Sequence, residues 1–317
     1  APVGSGELCM LSESQVALWF LSQLSPESPA ANVSVLLRLP ASTDEAALRV
    51  ALDRLGERHA TLRTTYKMQH DAPVQRIHQA LPLAWSVVDA RGLEWPRVRQ
   101  QVLEAASVPF DLMRGPVWRG RFFRGGLDTY LLLVAHHIAV VGWSMTLLVE
   151  ELRRQYESVC TGTAGSHVDV GPQSAPYTDF VSWHRTLLES DEGRRLAQYW
   201  KDRLAGELPN YEALFDRPST TVEPEPYALH GFAIDEDLLA RMKDLARAEG
   251  TTLYAICLAA LQVVLCRYTH QGDTLIASPV FGRNRARFAR SVGDFVNVVV
   301  LRQSLAADMT GRDLLVR

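Results

Sequence analysis

A continuous apolar run, Tyr130 to Val134, leads directly into the pair His136-His137. Apolar runs without alternation are typical of a central strand that is buried on both faces. Gly142 then interrupts the apolar pattern, and Ser144 can cap a helix that begins there. The histidines are therefore predicted to lie where a buried strand gives way to a helix, which is a common place for chemistry in mixed α/β folds.

The rest of the chain mixes helical and strand patterns without strict alternation and without an internal repeat of fixed period. This mixture predicts an α+β fold with mixed sheets and flanking helices, not a doubly wound sheet. Loops are predicted over 161–177, and an extended segment over 210–228. The predicted strands are Asn32–Leu39, Pro73–His78, Ala84–Val88, Trp118–Phe123, Thr274–Val280 and Phe295–Leu301. The predicted helices are one capped by Ser12, then Thr43–Glu57, Glu94–Val108, Asp179–Leu188, Arg194–Leu204, Asp235–Ala248 and Thr252–Tyr268.

Charge and composition exclude several classes of function. The 33 basic and 36 acidic residues give a net charge of −3, whereas a nucleic-acid-binding protein usually has a basic excess or stripe. No apolar run approaches the ~18 residues of a membrane-spanning helix. The sequence has no GxSxG elbow, HExxH pair, P-loop or dinucleotide fingerprint, so no bound metal or nucleotide is predicted. The cysteines, Cys9, Cys160, Cys257 and Cys266, show no ligand spacing and are predicted to be reduced and buried.

The segment around the histidine pair narrows the possibilities. A His-His pair alone usually means one packed and one surface histidine. However, the segment from Ala135 to Met145 resembles the HHxxxDGWS motif of nonribosomal peptide synthetase condensation domains, with Val141 where that family has Asp.

Other segments resemble motifs of the same family in the same order and cover nearly the whole chain. They are Leu11–Phe20 (the opening motif, with Ala17 where Arg is usual), Arg58–Tyr66 (RHxxLRTxF), Val108–Leu112 with Gly115-Pro116 (PFDLxxGP), Tyr177–Trp183 (YxDFxxW) and Val292–Val298 with Arg302 (GxFVNTxxxR). The resemblance implies a two-lobed chloramphenicol acetyltransferase-like fold. We expect residues 1–10 to be a linker or cloning remnant, 11–185 to form the N-terminal lobe and 186–317 to form part of the C-terminal lobe. The family's last two motifs are absent, so the second lobe is expected to be incomplete.

The resemblance also implies a reaction, in which a carrier-bound aminoacyl amine attacks a carrier-bound acyl or peptidyl thioester in the cytoplasm. Phosphopantetheine arms of an upstream donor and a downstream acceptor carrier protein would deliver the substrates, and an adenylation domain would be adjacent. The domain itself would bind no cofactor, metal, nucleic acid or membrane. The two substrates would reach the histidine through a tunnel that is entered from both sides.

By resemblance, His137 manages the proton, either as a general base or by hydrogen-bonding the amine, and His136 is structural. Gly142 either lets the backbone pass close to the reacting centre or only starts a helix. Trp143 and Ser144 are expected to pack and cap. Asn297, with Arg302, is expected to fix a latch-like segment that joins the lobes.

Val141 is the departure from the family pattern that matters. The family Asp pairs with a buried Arg, for which Arg283 is the first candidate here and Arg63 the second. A buried Arg stripped of its carboxylate would cost roughly 3–5 kcal/mol. We expect one of three compensations for the missing carboxylate: Asp294 takes its place beside the arginine, water enters the site, or the loop around Val141 is distorted. A degenerate domain that binds carriers or recruits a partner enzyme without catalysis is the alternative function.

A second alternative concerns the basic residues of one predicted strand. Arg119, Arg121 and Arg124 could help to dock an acidic carrier protein. A solvated strand face is the interpretation that the sequence favours.

Overall fold

The computed structural model describes residues 6, 8–126, 128–162, 174–215, 230–306 and 308–316. Most of the predicted linker over 1–10, the predicted loop over 161–177 and the predicted extended segment over 210–228 lie outside these residues. Contacts divide the chain into two compact units, Ala1–Glu192 with Val280–Asn297, and Gly193–Pro279 with Val298–Arg317.

The first unit mixes helices with two sheets, which confirms the predicted α+β class. Its strands are β1 (Leu8–Met10), β2 (Asn32–Pro40), β3 (Thr64–Gln69), β4 (Ala72–Ile77), β5 (Ala84–Asp89), β6 (Trp118–Arg124) and β7 (Asp128–His136). Its helices are α1 (Glu13–Leu24), α2 (Glu45–Arg58), α3 (Trp95–Ala106), α4 (Gly142–Cys160) and α5 (Tyr177–Glu189). One sheet has the order β2-β7-β6-β5 and the other β1-β4-β3.

Strand β7 is the buried centre of the larger sheet, as its apolar run predicts. It pairs antiparallel with β2 on one side and with β6 on the other. Leu131 and Leu133 pack into a core shared with α2 and α4, whereas Leu132 and Val134 pack into a second core with α3. Because successive side chains of a strand point to opposite faces, a strand covered by helices on both sides needs apolar residues at every position.

The N-terminus of the described chain departs from the predicted linker. Leu8 to Met10 form β1, which pairs antiparallel with β4 over Arg76 to Val74. The prediction for residues 8–10 was therefore wrong, because their backbone groups complete a sheet edge. The predicted capping box is confirmed: the Ser12 side chain accepts from the Gln15 amide, and the side-chain oxygen Oε1 of Gln15 accepts from the Ser12 amide.

The segment Val280–Asn297 belongs to the first unit, although the predicted boundary assigned it to the second lobe. Phe295, 2% exposed, and Phe288, 1% exposed, form an apolar cluster with Tyr177 and Phe180 of α5. The Phe180 and Phe295 ring centroids are 4.7 Å apart. Aromatic burial therefore attaches this distant part of the sequence to α5, which a boundary drawn along the chain cannot anticipate.

The second unit contains the helices α6 (Asp191–Arg203, which begins in the first unit), α7 (Glu236–Ala248), α8 (Leu253–Thr269) and α9 (Gly311–Val316). It also contains a two-stranded sheet of β8 (Asp273–Val280) and β9 (Asn297–Ser304), except that Val280 and Asn297 belong to the first unit. Arg302 on β9 makes an ion pair with Asp273 at 2.7 Å and donates to the carbonyls of Ala205 and Glu207 at 2.7 Å each. These bonds join the sheet to the chain that follows α6.

Helix α8 also corrects the prediction for the cysteines. Cys160 and Cys257 are exposed, Cys9 and Cys266 are half-buried, and none of these four described residues forms a disulfide. The sequence around Cys257 and Cys266 is apolar, but α8 carries exposed Leu261 and Val264 as well, so apolar neighbours do not imply burial there.

Membrane-spanning potential is limited to one bent helix pair. Within the described ranges no single helix is long and apolar enough to span a membrane. The pair α7 and α8, bent by 104°, passes the test of length and composition only when its helices are taken together.

We expect Phe295→Ala to destabilise the first unit by about 3–5 kcal/mol, because it leaves a cavity in the aromatic cluster. The melting temperature should fall by at least about 6 °C. Phe281→Ala is the control, since Phe281 is 68% exposed. Equal melting temperatures for the two variants in a thermal denaturation series would contradict the attachment of Val280–Asn297 to α5.

Candidate active site

His136 ends β7 in a buried, apolar setting. Its Nδ1 accepts the amide N–H of Ile138 at 3.1 Å, and its ring stands edge-on to Phe110 with centroids 6.2 Å apart. Burial, and to a smaller extent the neighbouring His137, lowers the pKa of His136 to about 4. The imidazole is therefore neutral near pH 7, with its proton on Nε2, and its contacts suit the structural role expected from the sequence.

His137 has a different environment one residue later. Its amide donates to the Ala31 carbonyl at 2.7 Å, while its side chain keeps 33% of its surface exposed. Nδ1 lies 3.5 Å from Oδ1 of Asp294, whose side chain is 2% exposed. The adjacent Asp294 carboxylate raises the pKa of His137 above its ordinary value, against the lowering effect of burial. An accessible imidazole beside a buried carboxylate can accept and return a proton near neutral pH.

Gly142 is the first residue of α4, and its amide is one of the N-terminal donors that the helix itself cannot use. The residue is exposed, and a Cβ added to it would meet nothing within 4 Å. No packing of the described chain therefore requires glycine at this position. The open space beside Gly142 is compatible with a substrate, so the two interpretations from the sequence remain distinct and testable.

Ser144 does not cap α4, which corrects the prediction. The helix begins two residues earlier, and Ser144 is fully buried within its first turn. Its Oγ donates to the Gly293 carbonyl at 2.7 Å and accepts the Gly293 amide at 3.2 Å and Arg283 Nη2 at 2.7 Å. A hydroxyl with this partner set fastens α4 to a segment almost 150 residues further along the chain.

Trp143 packs less than expected. Its side chain is 46% exposed, and it contacts Phe281 edge-on with centroids 6.0 Å apart. Because nearly half of its surface is exposed, its ring lies over the surface and not in the core.

Arg283, the first candidate for the partner of a carboxylate at position 141, is half-buried. Besides Ser144, it donates through Nη1 to the carbonyls of Phe288 and Ser291 at 2.9 and 2.6 Å, and its guanidinium lies 4.1 Å from the centroid of the Phe295 ring. Burial lowers the pKa of Arg283 to about 10. Neutral acceptors and a π face thus replace the family carboxylate, although the buried Nε has no hydrogen-bonding partner among the described residues.

The other expectations for the partner of Val141 were wrong. Arg63 donates to the carbonyl of His78, just after β4, and among the described residues it makes no bond to the start of α4. Asp294 forms no ion pair with Arg283; within the described chain its ion-pair contact is His137. Val141 itself is buried at 6% exposure and caps α4 without a side-chain bond.

Asn297 begins β9 and lines a cavity of about 230 Å³ together with Asp294, Phe295 and Trp183. The contacts described for Arg302 lie within the second unit. The latch role that the resemblance implies for these two residues stays a prediction.

The arginines of β6 are held by the first unit itself. Arg119 donates to the carbonyls of Val108 and Pro109, Arg121 donates to Ser86 Oγ at 3.0 Å, and Arg124 pairs with Glu45. These contacts were not foreseen by either interpretation of the strand. No group of three or more His, Cys, Asp or Glu side chains within the described part of the chain could hold a metal ion.

The sequence did not reveal that Asp294 lies beside His137. Asp294 was considered only as a partner for arginine. The available signal was an acidic residue at the variable position of the GxFVN motif, but only the fold shows that this position faces His137.

Comparisons with known proteins agree with the resemblance. A sequence profile described as "Condensation domain" matches residues 6–317. The chain is 34% identical over 321 residues to the chondramide synthase cmdD of Chondromyces crocatus, a match that covers 100% of this chain and 8% of that protein. It is 34% identical over 323 residues to a probable non-canonical nonribosomal peptide synthetase, CymA, of Salinispora arenicola (strain CNS-205), a match that covers 100% of this chain and 4% of that protein. Among solved structures, the complex of the X-domain and OxyB from teicoplanin biosynthesis matches with a TM-score of 0.82 and 26% identity, over 99% of this chain and 69% of that one.

We expect Val141→Asp to raise the melting temperature by about 2–4 °C, or about 1 kcal/mol, because it restores the acidic partner that the family pattern implies for Arg283, whose Nε has no hydrogen-bonding partner among the described residues. Val141→Asn is the matched control, since Asn and Asp cap helices about equally well. Ion pairing predicts that Asp stabilises more than Asn and loses its advantage in acid. Equal gains would reduce the effect to capping, and a neutral or negative change for Asp would contradict the buried-arginine argument.

Proposed function

The chain belongs to the condensation-domain family, and from that membership we propose that it forms an amide bond between two carrier-bound substrates. The amine of an aminoacyl group would attack the thioester of an acyl or peptidyl group. The observation that carries the proposal is His137, one-third exposed at the end of a buried strand and 3.5 Å from a buried carboxylate.

The proposed reaction needs no nucleophilic serine or cysteine, because the thioester is already activated. The amine nitrogen bonds to the carbonyl carbon as electrons move on to the carbonyl oxygen, and His137 Nε2 accepts the proton that the nitrogen loses. The tetrahedral intermediate then expels the thiolate, which takes the proton back from His137. Imidazole is regenerated, and the products are an amide and a thiol.

Positioning and charge stabilisation supply the rest of the catalysis. Holding the two reacting groups together can contribute roughly 7–11 kcal/mol of barrier lowering. The first amide of α4, at Gly142, is free of helical bonds and can donate to the developing oxyanion.

The wider setting of the reaction is also proposed, because the chain spans only 8% and 4% of the lengths of the two curated relatives. We propose that phosphopantetheine arms of an upstream donor and a downstream acceptor carrier deliver the substrates, next to an adenylation domain and in the cytoplasm. The domain itself would bind no cofactor or metal.

The second candidate is a condensation-like domain that binds carriers or recruits a partner enzyme without catalysis. Two observations support it: Val141 stands where the family has Asp, and the chain is similar to the X-domain, whose solved complex contains OxyB. The pairing of His137 with a buried carboxylate favours catalysis, since recruitment alone has no use for it.

We expect His137→Ala to lower single-turnover product formation by about 10²–10⁴-fold, the usual contribution of a positioned proton-transfer group. The assay uses one carrier loaded with a donor acyl group and one with an acceptor amino acid, and product is quantified by mass spectrometry. His70→Ala, an exposed histidine in a turn, is the matched control. Carrier binding by the wild-type protein without product would favour recruitment instead.

We expect Gly142→Ala to leave the melting temperature unchanged or raised, because the added methyl group meets nothing and alanine favours a helix. Turnover should nevertheless fall at least about tenfold if the thioester occupies the space beside this amide. Gly311→Ala, at the first residue of α9 and equally free of contacts, is the control. Unchanged turnover in Gly142→Ala would leave Gly142 as a simple helix start.

A further inference from the structure

Asp294 is a buried carboxylate with an unusual set of neighbours. Its side chain is 2% exposed, and neither Oδ1 nor Oδ2 has a hydrogen-bonding partner among the described residues. The Nδ1 atom of His137, 3.5 Å from Oδ1, likewise has no hydrogen-bonding partner there. A buried ionised carboxylate is costly unless it is paired. Among the described residues, His137 is the group that forms an ion-pair contact with Asp294, at 3.5 Å.

The other titratable groups around the pair carry little competing charge. His136 is neutral because burial lowers its pKa to about 4. Burial raises the pKa values of Tyr66 on β3 and Tyr177 on α5, and the Asp294 carboxylate raises both further, so both phenols are neutral. Arg283 is bound to Ser144 and two backbone carbonyls and is not ion-paired with Asp294.

The backbone on both sides of Asp294 is held rigidly. Ser144 Oγ bonds both the amide and the carbonyl of Gly293, and the Tyr177 hydroxyl donates to the Asp294 carbonyl at 2.5 Å. A Cβ added to Gly293 would lie 2.2 Å from the Tyr177 ring, so the backbone is pressed against this ring. Phe295 is buried in the aromatic cluster. The Asp294 side chain therefore leaves a fixed point of the backbone, which is what a group that orients another must do.

We propose that Asp294 is a positioning residue for His137, holding its imidazole with the proton on Nδ1 and stabilising the imidazolium that forms when Nε2 accepts the proton of the amine. The inference rests on the proposed amide-forming function. Asp294 touches no substrate in this role; it acts through His137, as the carboxylate does in other His–carboxylate pairs.

The direction of the His137 pKa agrees with this arrangement, because the Asp294 carboxylate raises it. A folded-state pKa above the unfolded value means that the pair stabilises the fold fully below about pH 6.5. This contribution is lost as the pH rises through the folded-state pKa of His137.

The first test is independent of activity. In protein labelled with ¹⁵N-histidine, His137 is assigned as the signal that is missing from His137→Ala. The pH at which half of the His137 rings are protonated is the titration midpoint. Above this pH we expect the wild-type ring to carry its single proton on Nδ1, and we expect the midpoint to move to lower pH in Asp294→Asn. An unchanged midpoint, or a wild-type proton on Nε2, would overturn the proposal.

The second test is the pH dependence of single-turnover rates. Because the base form of His137 is needed, the rate rises with pH through the pKa of His137. In Asp294→Asn this acidic limb should move to lower pH while the plateau falls at least about tenfold. A merely structural role would lower the plateau without moving the limb, and that result would also overturn the proposal.

The two tests separate the possible failures. If the wild-type protein makes no amide but Asp294→Asn still lowers the His137 midpoint, the proposed function fails and the pairing stands. If Asp294→Asn does not fold, the wild-type tautomer decides the matter by itself. Asn297→Asp, which adds a carboxylate three residues away on β9, should leave the His137 midpoint unchanged.

Discussion

The hydroxyl of Ser144 bonds both the amide and the carbonyl of Gly293, at 3.2 and 2.7 Å, and so joins the start of α4 to a segment far along the chain. The connection requires glycine at position 293, because a side chain there would collide with the Tyr177 ring. The candidate site depends on it: the next residue after Gly293 is Asp294, which meets His137. Two groups almost 160 positions apart in sequence become neighbours through one buried serine.

The histidine pair shows how one fold gives different properties to adjacent identical residues. His136 is sealed beside Phe110 and accepts a backbone amide, so burial keeps it neutral. His137 keeps part of its surface exposed and has a carboxylate at Nδ1, so its charged form is favoured. Environments that separate the pKa values of neighbouring groups are what acid–base chemistry requires. The separation arises where β7 ends, because His136 is the last residue of the strand and His137 lies in the turn that follows it.

Local patterns predicted much of the first unit. Strand β7 could be predicted from its own composition, because a strand that packs on both faces is apolar at successive positions. The Ser12–Gln15 capping box could be predicted because it is a pattern of four consecutive residues. The α4 start was misjudged, because Ser144 satisfies its hydroxyl through Gly293 and Arg283 and leaves the cap to Val141. The function of a polar side chain in the first turn of a helix depends on what packs there, and that information is not local.

The prediction of a carboxylate partner for Arg283 was wrong for the same reason. Motif resemblance placed Arg283 near the start of α4. Only the fold shows that backbone carbonyls and the Phe295 ring, and not a carboxylate, surround its guanidinium. Asp294 was noticed as a charge without its neighbour. Sequence resemblance thus pointed to His137 as the proposed reacting imidazole, whereas the charges and contacts that would tune its pKa became visible only in the packing of α4, α5 and Val280–Asn297.

The most direct measurement of the central claim is a crystal structure of the protein with an unreactive acyl-pantetheine, in which an amide replaces the thioester. We expect the reacting carbonyl to lie beside His137, with the position of the incoming nitrogen within about 2.6–3.2 Å of Nε2 and Asp294 still at Nδ1. An acyl group bound elsewhere, or His137 with Nε2 turned into the protein, would contradict the account.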